Sequence, residues 1–533
     1  MKSFLITLFV IPFCNIYLIA QTVPVGMPVL DESLRTLQLE GKLDIKYSLS
    51  SRPFFTNKSL TSDSLYQLID PTGNLSSARK ESLHQKAVFE LLPVTFSSGY
   101  NSHHPYGWNH AGMIDAKGIQ GFVSTGFFAS IGPLSIQFKP EAIYAANQNF
   151  EYSSQYGAPT SGAYHHVFAG QSSVRLNVNA FSLGLSTENL WWGPGIQNSL
   201  LMSNNAPGFL HLTLNTTRPV KTPIGNFEFQ LIAGKLTEDT TVLLENKDLT
   251  TPYYAQGDYN GYPNDPSLDK LSWRYLNGIS ISYNPKWVKG LFLGISRVAY
   301  IYNDYLGEFN GFVHDYLPVF VGLFRSSGTY ANGSQHLKQI ISVTGRYVFQ
   351  RAHAEIYGEY GSDDNTQNLR DFLMSPYHGA AFTIGFKKLI PLANNKWIDL
   401  HTELTQLSQS AENIIRSAGN WYNYQGGYSN QGRILGAGYG MGSNMQTINA
   451  SLVNGFKKAG IMLQRIVHDP NPNDPVARSL GWKDLSAGLI FQQQIKKIII
   501  NAQLQAISSN NYAWIQNNNP INIHGFVSMV YYW

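Results

Sequence analysis

Two adjacent tryptophans stand among glycine, proline and amide residues in the stretch TENLWWGPGIQNSLLMSNNAPGF, residues 187–209. An indole ring can stack on the C–H face of a sugar, and neighbouring amides can hydrogen-bond the sugar hydroxyls. We therefore predict that Trp191 and Trp192 form a polysaccharide-binding site at the mouth of the β-barrel inferred below. The amides that would complete this site are Asn189, Gln197, Asn198, Asn204 and Asn205.

The two indoles are not expected to do the same work. Adjacent residues of a strand point to opposite faces, so one ring would face lipid in an aromatic girdle and the other the barrel lumen. The alternative is that both rings are structural. The following stretch LLMSNNAPGF is too apolar for a free surface loop, and we predict that it folds inward and narrows the pore.

A second candidate binding loop spans residues 410–444 and contains NWYNYQGGYSNQGR. Aromatic rings among amides and glycines suit a glycan site, although mobile loops without a ligand have the same composition. The residues that we predict to bind polysaccharide here are Trp421, Tyr422, Tyr424, Tyr428 and Arg433.

Other ionisable residues give weaker signals of catalysis or metal binding. Glu355, Glu359, Asp363 and Asp364 could form the paired carboxylates of a hydrolase, but Glu355 and Glu359 share one strand face, as lumen-lining residues also do. The loop histidines match no zinc-ligand spacing, and DPNPNDP at 469–475 lacks the glycine and final glutamate of a calcium loop. We therefore expect no catalytic residue, no metal and no cofactor. The histidines considered are His103, His104, His110, His165 and His166.

Composition and the N-terminus indicate an exported protein. Charged residues make up only 14% and aromatic residues 13% of the 533 residues, which suits an all-β protein with a large apolar outer surface. The formal charge of +4 makes nucleic acid an unsuitable partner. Residues 1–20 read as a signal peptide that contains the single cysteine, Cys14. We therefore expect a mature chain without disulfides, in a bacterial envelope.

Strict alternation of apolar and polar residues predicts β-strands in the rest of the chain. In VRLNVN, for example, Val174, Leu176 and Val178 alternate with polar residues. Alternation alone does not distinguish a soluble sandwich from a transmembrane barrel. The predicted strands are 88–100, 118–131, 134–146, 166–178, 181–190, 209–219, 226–237, 270–284, 290–303, 336–350, 351–361, 378–389, 396–409, 445–456, 458–468, 481–495, 497–508 and 520–533.

The connections between these strands alternate between short turns and long loops, which is typical of outer-membrane barrels with extracellular long loops. We therefore predict an all-β, transmembrane barrel of about 18 antiparallel strands over residues 88–533. Its last strand ends with Tyr531 and Trp533, similar to the signal read by barrel insertion machinery. Residues 21–87 are more charged, and we predict a periplasmic helical or plug segment with helices in 31–43, 64–70 and 76–91.

The tryptophan stretch, continued to Pro219, resembles the capsule-assembly Wzi family of outer-membrane proteins. Supporting stretches are HHPYGWNHAGMIDAKGIQ from His103, LDKLSWRYLNGISISYNPKWVKGLFLGISRV from Leu268 and DFLMSPYHGAAFTIGFKK from Asp371. The resemblance covers most of the mature chain. It implies an eighteen-stranded barrel with N-terminal periplasmic helices, acting as a lectin that holds capsular or exopolysaccharide at the cell surface.

The function expected from these signals is non-enzymatic attachment of polysaccharide by a monomer in the outer-membrane lipid. The alternatives are a barrel hydrolase, either a protease or a lipase, and a carbohydrate diffusion porin. A hydrolase needs a tight cluster of catalytic side chains at the rim, and the sequence does not supply one. A porin needs an open lumen, which the apolar segment at 199–209 and the N-terminal segment would both obstruct.

Overall fold

The structure, a computed structural model, describes most of the chain beyond the predicted signal peptide. Of the helix predicted at 64–70, residues 64–69 lie outside the described residues, as does Tyr424. These residues are 21–23, 25–26, 30–56, 70, 74–75, 78–82, 87–151, 162–237, 273–307, 311–320, 337–363, 379–394, 396–408, 421–422, 428–440, 442–468 and 479–533.

Eighteen strands form one antiparallel sheet, and each overlaps a predicted strand. Two of them, β3 and β4, are each broken into two pieces. The strands are β1 (Ala87–Asn101), β2 (Gly118–Ile131), β3 (Leu134–Phe138 and Glu141–Ala145), β4 (Tyr164–Phe168 and Ser173–Val178), β5 (Phe181–Ser186), β6 (His211–Thr216), β7 (Gly225–Leu236), β8 (Arg274–Pro285), β9 (Leu291–Tyr302), β10 (Lys338–Phe349), β11 (Ala354–Asp363), β12 (Ala380–Pro391), β13 (Trp397–Gln406), β14 (Asn444–Asn454), β15 (Lys457–Val467), β16 (Lys483–Ile495), β17 (Ile498–Asn510) and β18 (Ile521–Tyr531).

The sheet closes on itself, because β18 pairs with β1 and places Ser528 opposite Ser97. Side chains alternate across the wall, with apolar residues outside and polar residues inside. On β4, Val174 and Leu176 are exposed, whereas Arg175 and Asn177 are buried. A soluble sandwich would bury the apolar face, so this arrangement identifies a transmembrane barrel. The prediction of an eighteen-stranded outer-membrane barrel is confirmed.

Connection lengths alternate around the barrel as predicted. Tight turns join strands at one end, such as Asn179–Ala180, where Asn179 adopts a left-handed φ of 55°. Long connections such as 102–117, 187–210 and 407–443 lie at the other end. We call these the short-turn end and the long-loop end. None of the described helices is long and apolar enough to cross a membrane.

Among its described residues, the N-terminal segment has one helix, α1 (Leu30–Leu39), which lies inside the short-turn end of the barrel. The Nδ1 of His353 lies 2.8 Å from the Leu39 carbonyl oxygen, and Gln350 donates to the carbonyl of Gln38. Both wall residues lie in the short turn between β10 and β11. The helix predicted at 31–43 is therefore present over Leu30–Leu39 and packs against the wall at this end. We call the described residues of 21–56 the plug, as a name for their position inside the barrel.

The predicted helix at 76–91 is wrong. Residues Ala78–Ser82 form a strand that pairs with the start of β1, from Ala87 to Leu91. The last strand, β18, reaches β1 only as far as Val94, so the first backbone groups of β1 would otherwise form an open edge. The added strand satisfies these groups, and a helix could not.

The remaining short elements lie in the connections and inside the barrel. They are the helix α2 (Phe312–Tyr316), the 3-10 turns Asn303–Tyr305, Pro318–Phe320, Gln350–Ala352 and Tyr512–Trp514, and the two-residue strands Thr22–Val23, Ser51–Arg52, Phe54–Phe55, Trp191–Trp192, Val220–Lys221, Ser429–Asn430 and Arg433–Ile434.

Candidate functional site

The connection 187–210, which we call the inner loop, turns into the lumen instead of standing above it. Wall carboxylates hold its backbone. The Glu403 carboxylate accepts hydrogen bonds from the backbone N–H groups of Ile196, Gln197 and Asn198, at 2.7, 3.1 and 2.9 Å. Glu359 accepts one from the N–H of Leu200, at 3.1 Å. The carboxylate considered for hydrolysis therefore anchors a loop, as a lumen-lining residue would.

Both tryptophans of the inner loop are buried inside the barrel. Trp192 donates its Nε1–H to the Oε1 of Gln230, at 2.7 Å, and its ring packs against Gly278, where an added Cβ would lie 2.7 Å from the indole. Trp191 lies under the guanidinium of Arg52, 4.8 Å from the ring centre. The rings touch wall and plug residues on all sides.

The predicted position of these rings, at the mouth with one facing lipid, is therefore wrong. The chain leaves the barrel wall after Ser186, and Trp191–Trp192 pairs with Ser51–Arg52 inside the lumen. Adjacent residues of such an internal strand point to opposite faces, and both faces contact protein. The described amide side chains predicted beside them bond within the inner loop or to its neighbours, since Asn204 donates to the carbonyl of Asn109 at 2.9 Å and Asn205 to that of Ile434 at 3.0 Å. Asn189, for example, donates to the carbonyl of Ala206, at 2.7 Å.

The aromatic residues of the second predicted loop also pack inside. Trp421, Tyr422 and Tyr428 are buried, and both tyrosine hydroxyls donate to inner-loop carbonyls. Tyr422 reaches the carbonyl of Leu200 at 2.6 Å, and Tyr428 reaches that of Leu201 at 2.7 Å. Their burial leaves no free ring face for a sugar. Their predicted role in binding therefore has no support in their placement.

The inner loop and this second loop fill the middle of the barrel with an apolar core. Inner-loop residues such as Leu200, Leu201 and Met202 meet lumen-facing side chains from strands around the wall. The inward folding predicted for LLMSNNAPGF is confirmed. The wall residues in this core are Ile232, Leu236, Leu276, Val298, Tyr300, Ile340, Ala381, Met445, Ile466 and Ile507.

Charged groups fix the plug at the short-turn end. Glu355 is buried between Arg35 of α1 and Arg346 of β10, with N···O distances of 2.6 and 2.5 Å. Glu32 of α1 pairs with Lys387 of β12 at 3.1 Å. Two wall segments therefore hold the helix.

An open cleft lies above the filled core, at the long-loop end. It holds about 960 Å³, counted with its open mouth. Loop 102–117, the inner loop, the segment 428–440 and the residues His468 and Trp482 border it. Its lining residues include Tyr106, Trp108, Asp115, Asn205, Arg433, Tyr439, His468, Trp482 and Asp484.

Trp108 is the half-buried ring of this cleft. It packs edge-on against Tyr106, with ring centres 5.6 Å apart, and against Tyr439 at 6.3 Å. On the other side, the ring of Trp482 stacks on His468 at 3.7 Å and donates its Nε1–H to Asp484 at 2.8 Å. Two fixed aromatic groups therefore border a polar opening.

An ion network sets the charge of the cleft. The Asp115 carboxylate lies 2.6 Å from the Nδ1 of His110 and 3.6 Å from the guanidinium of Arg433. Burial by itself raises the pKa of Asp115, but His110 and Arg433 outweigh it and hold that pKa below its ordinary value. Arg433 also donates to the carbonyls of Ala111 and Met113, at 2.8 and 2.5 Å. The cleft thus presents a fixed carboxylate beside a fixed guanidinium.

Only Asn205 and Arg433 of the predicted binding residues line this cleft. Sequence reasoning missed Trp108, Asp115 and Trp482. The available signal was the stretch HHPYGWNH, in which aromatic and amide residues share one long loop, as they do at 187–209. Among the described residues, no group of three histidine, cysteine, aspartate or glutamate side chains is placed to hold a metal ion.

Comparison with known proteins gives a family and a fold. A family model described as capsule assembly protein Wzi matches residues 101–469. The structure of Wzi from Escherichia coli, described as a carbohydrate-binding β-barrel involved in group 1 capsule assembly, matches with a TM-score of 0.58. It is 13% identical, over 96% of this chain and 100% of that chain.

Two further solved structures have lower similarity. OprB of Pseudomonas putida has a TM-score of 0.38 at 11% identity, over 83% of this chain and 94% of that chain. OccAB1 of Acinetobacter baumannii has a TM-score of 0.37 at 9% identity, over 85% of this chain and 98% of that chain. No curated protein sequence matches. Since the family model covers more than half of the 533 residues, the chain belongs to the capsule assembly protein Wzi family.

Proposed function

We propose that this protein binds capsular or exopolysaccharide at the cell surface and retains the polymer there, through the cleft at the long-loop end. The observation that carries this proposal is the half-buried Trp108 beside the Asp115–Arg433 pair, at the mouth of a filled barrel. Membership of the Wzi family supports the same function. The long loops would then face the outside of the cell.

The chemistry of the cleft suits a sugar chain. A half-buried indole offers an apolar face to a pyranose ring, and the polar lining of the cleft, which includes the Asp115–Arg433 pair, suits its hydroxyls. Arg433 adds a cation that favours acidic sugars. The cleft is open at the top, so a long polymer can lie across it without threading its end through.

Retention fits the interior better than transport or hydrolysis does. The apolar core at mid-height supports binding at the surface over diffusion through the lumen. The buried carboxylates Glu355, Glu359 and Glu403 are engaged by guanidinium or backbone N–H groups, which supports a non-enzymatic role. We also propose that residues 1–20 are a cleaved signal peptide, that insertion machinery reads the end of β18, and that the protein acts as a monomer.

The test compares two tryptophans at opposite ends of the barrel. Trp108→Ala removes the cleft ring, whereas Trp287→Ala removes an exposed ring at the short-turn end. Stacking on an aromatic ring is worth roughly 1–3 kcal/mol, and the low end is about a fivefold to tenfold loss of affinity per site. Attachment through many copies enlarges that loss.

Two readouts are needed, namely binding of purified protein to a panel of polysaccharides that includes the producer's own, and the ratio of cell-bound to shed polymer. We expect only Trp108→Ala to lower both, with heat-modifiable gel migration showing that both variants fold. Equal retention by folded Trp108→Ala and the parent would remove the cleft from consideration as the binding site.

A further inference from the structure

The outer face of β9 departs from the pattern of the rest of the wall. Outward-facing Leu293 and Ile295 are exposed, as lipid-facing residues are elsewhere. The next outward positions, Arg297, Ala299 and Ile301, are buried. Residues 311–320, which we call the outer strap, contain α2 and a 3-10 turn and lie over this part of the outside wall.

The outer strap covers two polar side chains on the lipid-facing side. Arg297 donates to the carbonyl of Val319 at 3.0 Å and to the Oε1 of Gln339 at 2.5 Å. Asn277 of β8 accepts a hydrogen bond from the N–H of Val319 at 3.3 Å and donates to the carbonyl of Ile232 at 2.7 Å. Both side chains are therefore bonded and hidden beneath the strap.

The depth of Arg297 makes such a cover necessary. Its cross-strand neighbours are Ile279 and Ile341, so it lies among apolar outward residues. An exposed arginine on the lipid face of a barrel is destabilising, and most strongly so at the middle of the bilayer. The strap covers the guanidinium of Arg297 and presents an apolar surface in its place.

The strap presents its own apolar side chains outward. Phe312, Val313, Tyr316 and Phe320 are 70, 46, 41 and 54% exposed. This surface continues the lipid-facing wall, since the hydroxyl of outward-facing Tyr275 donates to the Tyr316 carbonyl at 2.6 Å, and the two rings lie 6.2 Å apart.

The backbone of the strap is also compatible with hydrocarbon. The N–H of Asp315 donates to the carbonyl of Gly311 at 2.9 Å, that of Leu317 to Val313 at 3.0 Å, and that of Phe320 to Leu317 at 3.0 Å. Lipid tolerates only backbone whose polar groups are bonded within the protein. A compact helical turn meets this condition better than an extended loop.

We propose that the outer strap lies in the outer leaflet of the membrane and that Phe312, Val313, Tyr316 and Phe320 contact lipid acyl chains. The occupant of this surface is lipid and not a partner protein, because the surface is continuous with the lipid-facing wall and covers an arginine at hydrocarbon depth. The proposal rests on the barrel fold and does not depend on polysaccharide binding.

Nitroxide labels at single cysteines test this position, because the one native cysteine, Cys14, lies in the segment 1–20 that we propose is cleaved. Val313→Cys reports on the strap. Val343→Cys, on the exposed outer face of β10, gives the lipid reference, and Gln516→Cys, exposed at the long-loop end, gives the aqueous reference. In lipid vesicles, collision rates with oxygen and with a water-soluble nickel chelate distinguish the two environments.

We expect the label at 313 to match the label at 343, with frequent collisions with oxygen and few with nickel. A label at 313 that matches the label at 516 would overturn the proposal. A label at 313 that is exposed to water in vesicles but protected from the nickel chelate in native outer membranes would also overturn the proposal, because a partner molecule would then cover the strap. If Val313→Cys fails to fold, Phe312→Cys is measured against the same references.

Discussion

The wall carboxylate of Glu403 holds the inner loop that closes the barrel lumen. It binds three consecutive N–H groups of the inner loop and accepts a hydrogen bond from the hydroxyl of Tyr357 at 2.7 Å. Glu403→Ala removes all these acceptors at once and leaves the donors inside the lumen. We expect the inner loop to leave its closed position more often and the barrel to conduct ions.

The magnitude follows from the number of donors that lose a partner. A buried donor left without an acceptor costs about 1–3 kcal/mol. Water that enters the opened lumen offsets part of this cost, so about 1 kcal/mol for each of the three N–H groups is reasonable. A total of about 3 kcal/mol shifts the balance between closed and open loop roughly 100-fold.

Two further variants should open the barrel to intermediate extents. Glu359→Ala removes the acceptor of one inner-loop N–H, that of Leu200, and should open the barrel much less. Glu403→Gln keeps one acceptor oxygen and should lie between. Conductance in planar bilayers measures opening, and heat-modifiable gel migration confirms that each barrel folds. If folded Glu403→Ala conducts no more than the parent, these hydrogen bonds do not close the lumen and the reasoning fails.

Variants at two other residues, Trp192 and His104, address stability. Trp192→Ala should lower the temperature at which the folded barrel is lost from gels, because removing a fully buried tryptophan costs about 3–5 kcal/mol. Trp192→Phe should lower this temperature less. An unchanged temperature in Trp192→Ala would contradict the core role of this ring. Burial lowers the pKa of His104 to about 3, so between pH 6.5 and about 3 the unfolded chain binds a proton that the folded chain does not, and stability falls as the pH falls through this window. His104→Gln should lose part of that dependence when unfolding temperatures are compared at pH 7.5 and 5, and an identical slope in both proteins would contradict it.

The barrel wall could be predicted from the sequence because its physical requirement is local. A strand between lipid and lumen needs apolar and polar residues in strict alternation, and β4 shows this pattern residue by residue. Turn residues such as Asn179 mark where the chain reverses. Alternation therefore placed all eighteen strands without knowledge of their partners.

The interior could not be predicted in the same way. Nothing in the pattern around Trp191 and Trp192 marks Ser186 as the point where the chain leaves the wall, so alternation assigned one ring to lipid. Their burial depends on Arg52 and Gln230, which are distant in sequence. The error at 76–91 has a similar cause, because the pairing of Ala78–Ser82 depends on how far the last strand extends along β1.

The inner loop is hydrogen-bonded to the segment that lines the cleft, so closure of the barrel and the proposed polysaccharide site depend on the same contacts. The N–H of Ser203 donates to the carbonyl of Leu435 at 2.7 Å, and Asn205 donates to that of Ile434 at 3.0 Å. The segment that carries Arg433 is thus fastened to the inner loop below it. Displacement of that loop by Glu403→Ala should therefore weaken polysaccharide retention as well as raise conductance, whereas Trp108→Ala should weaken retention alone.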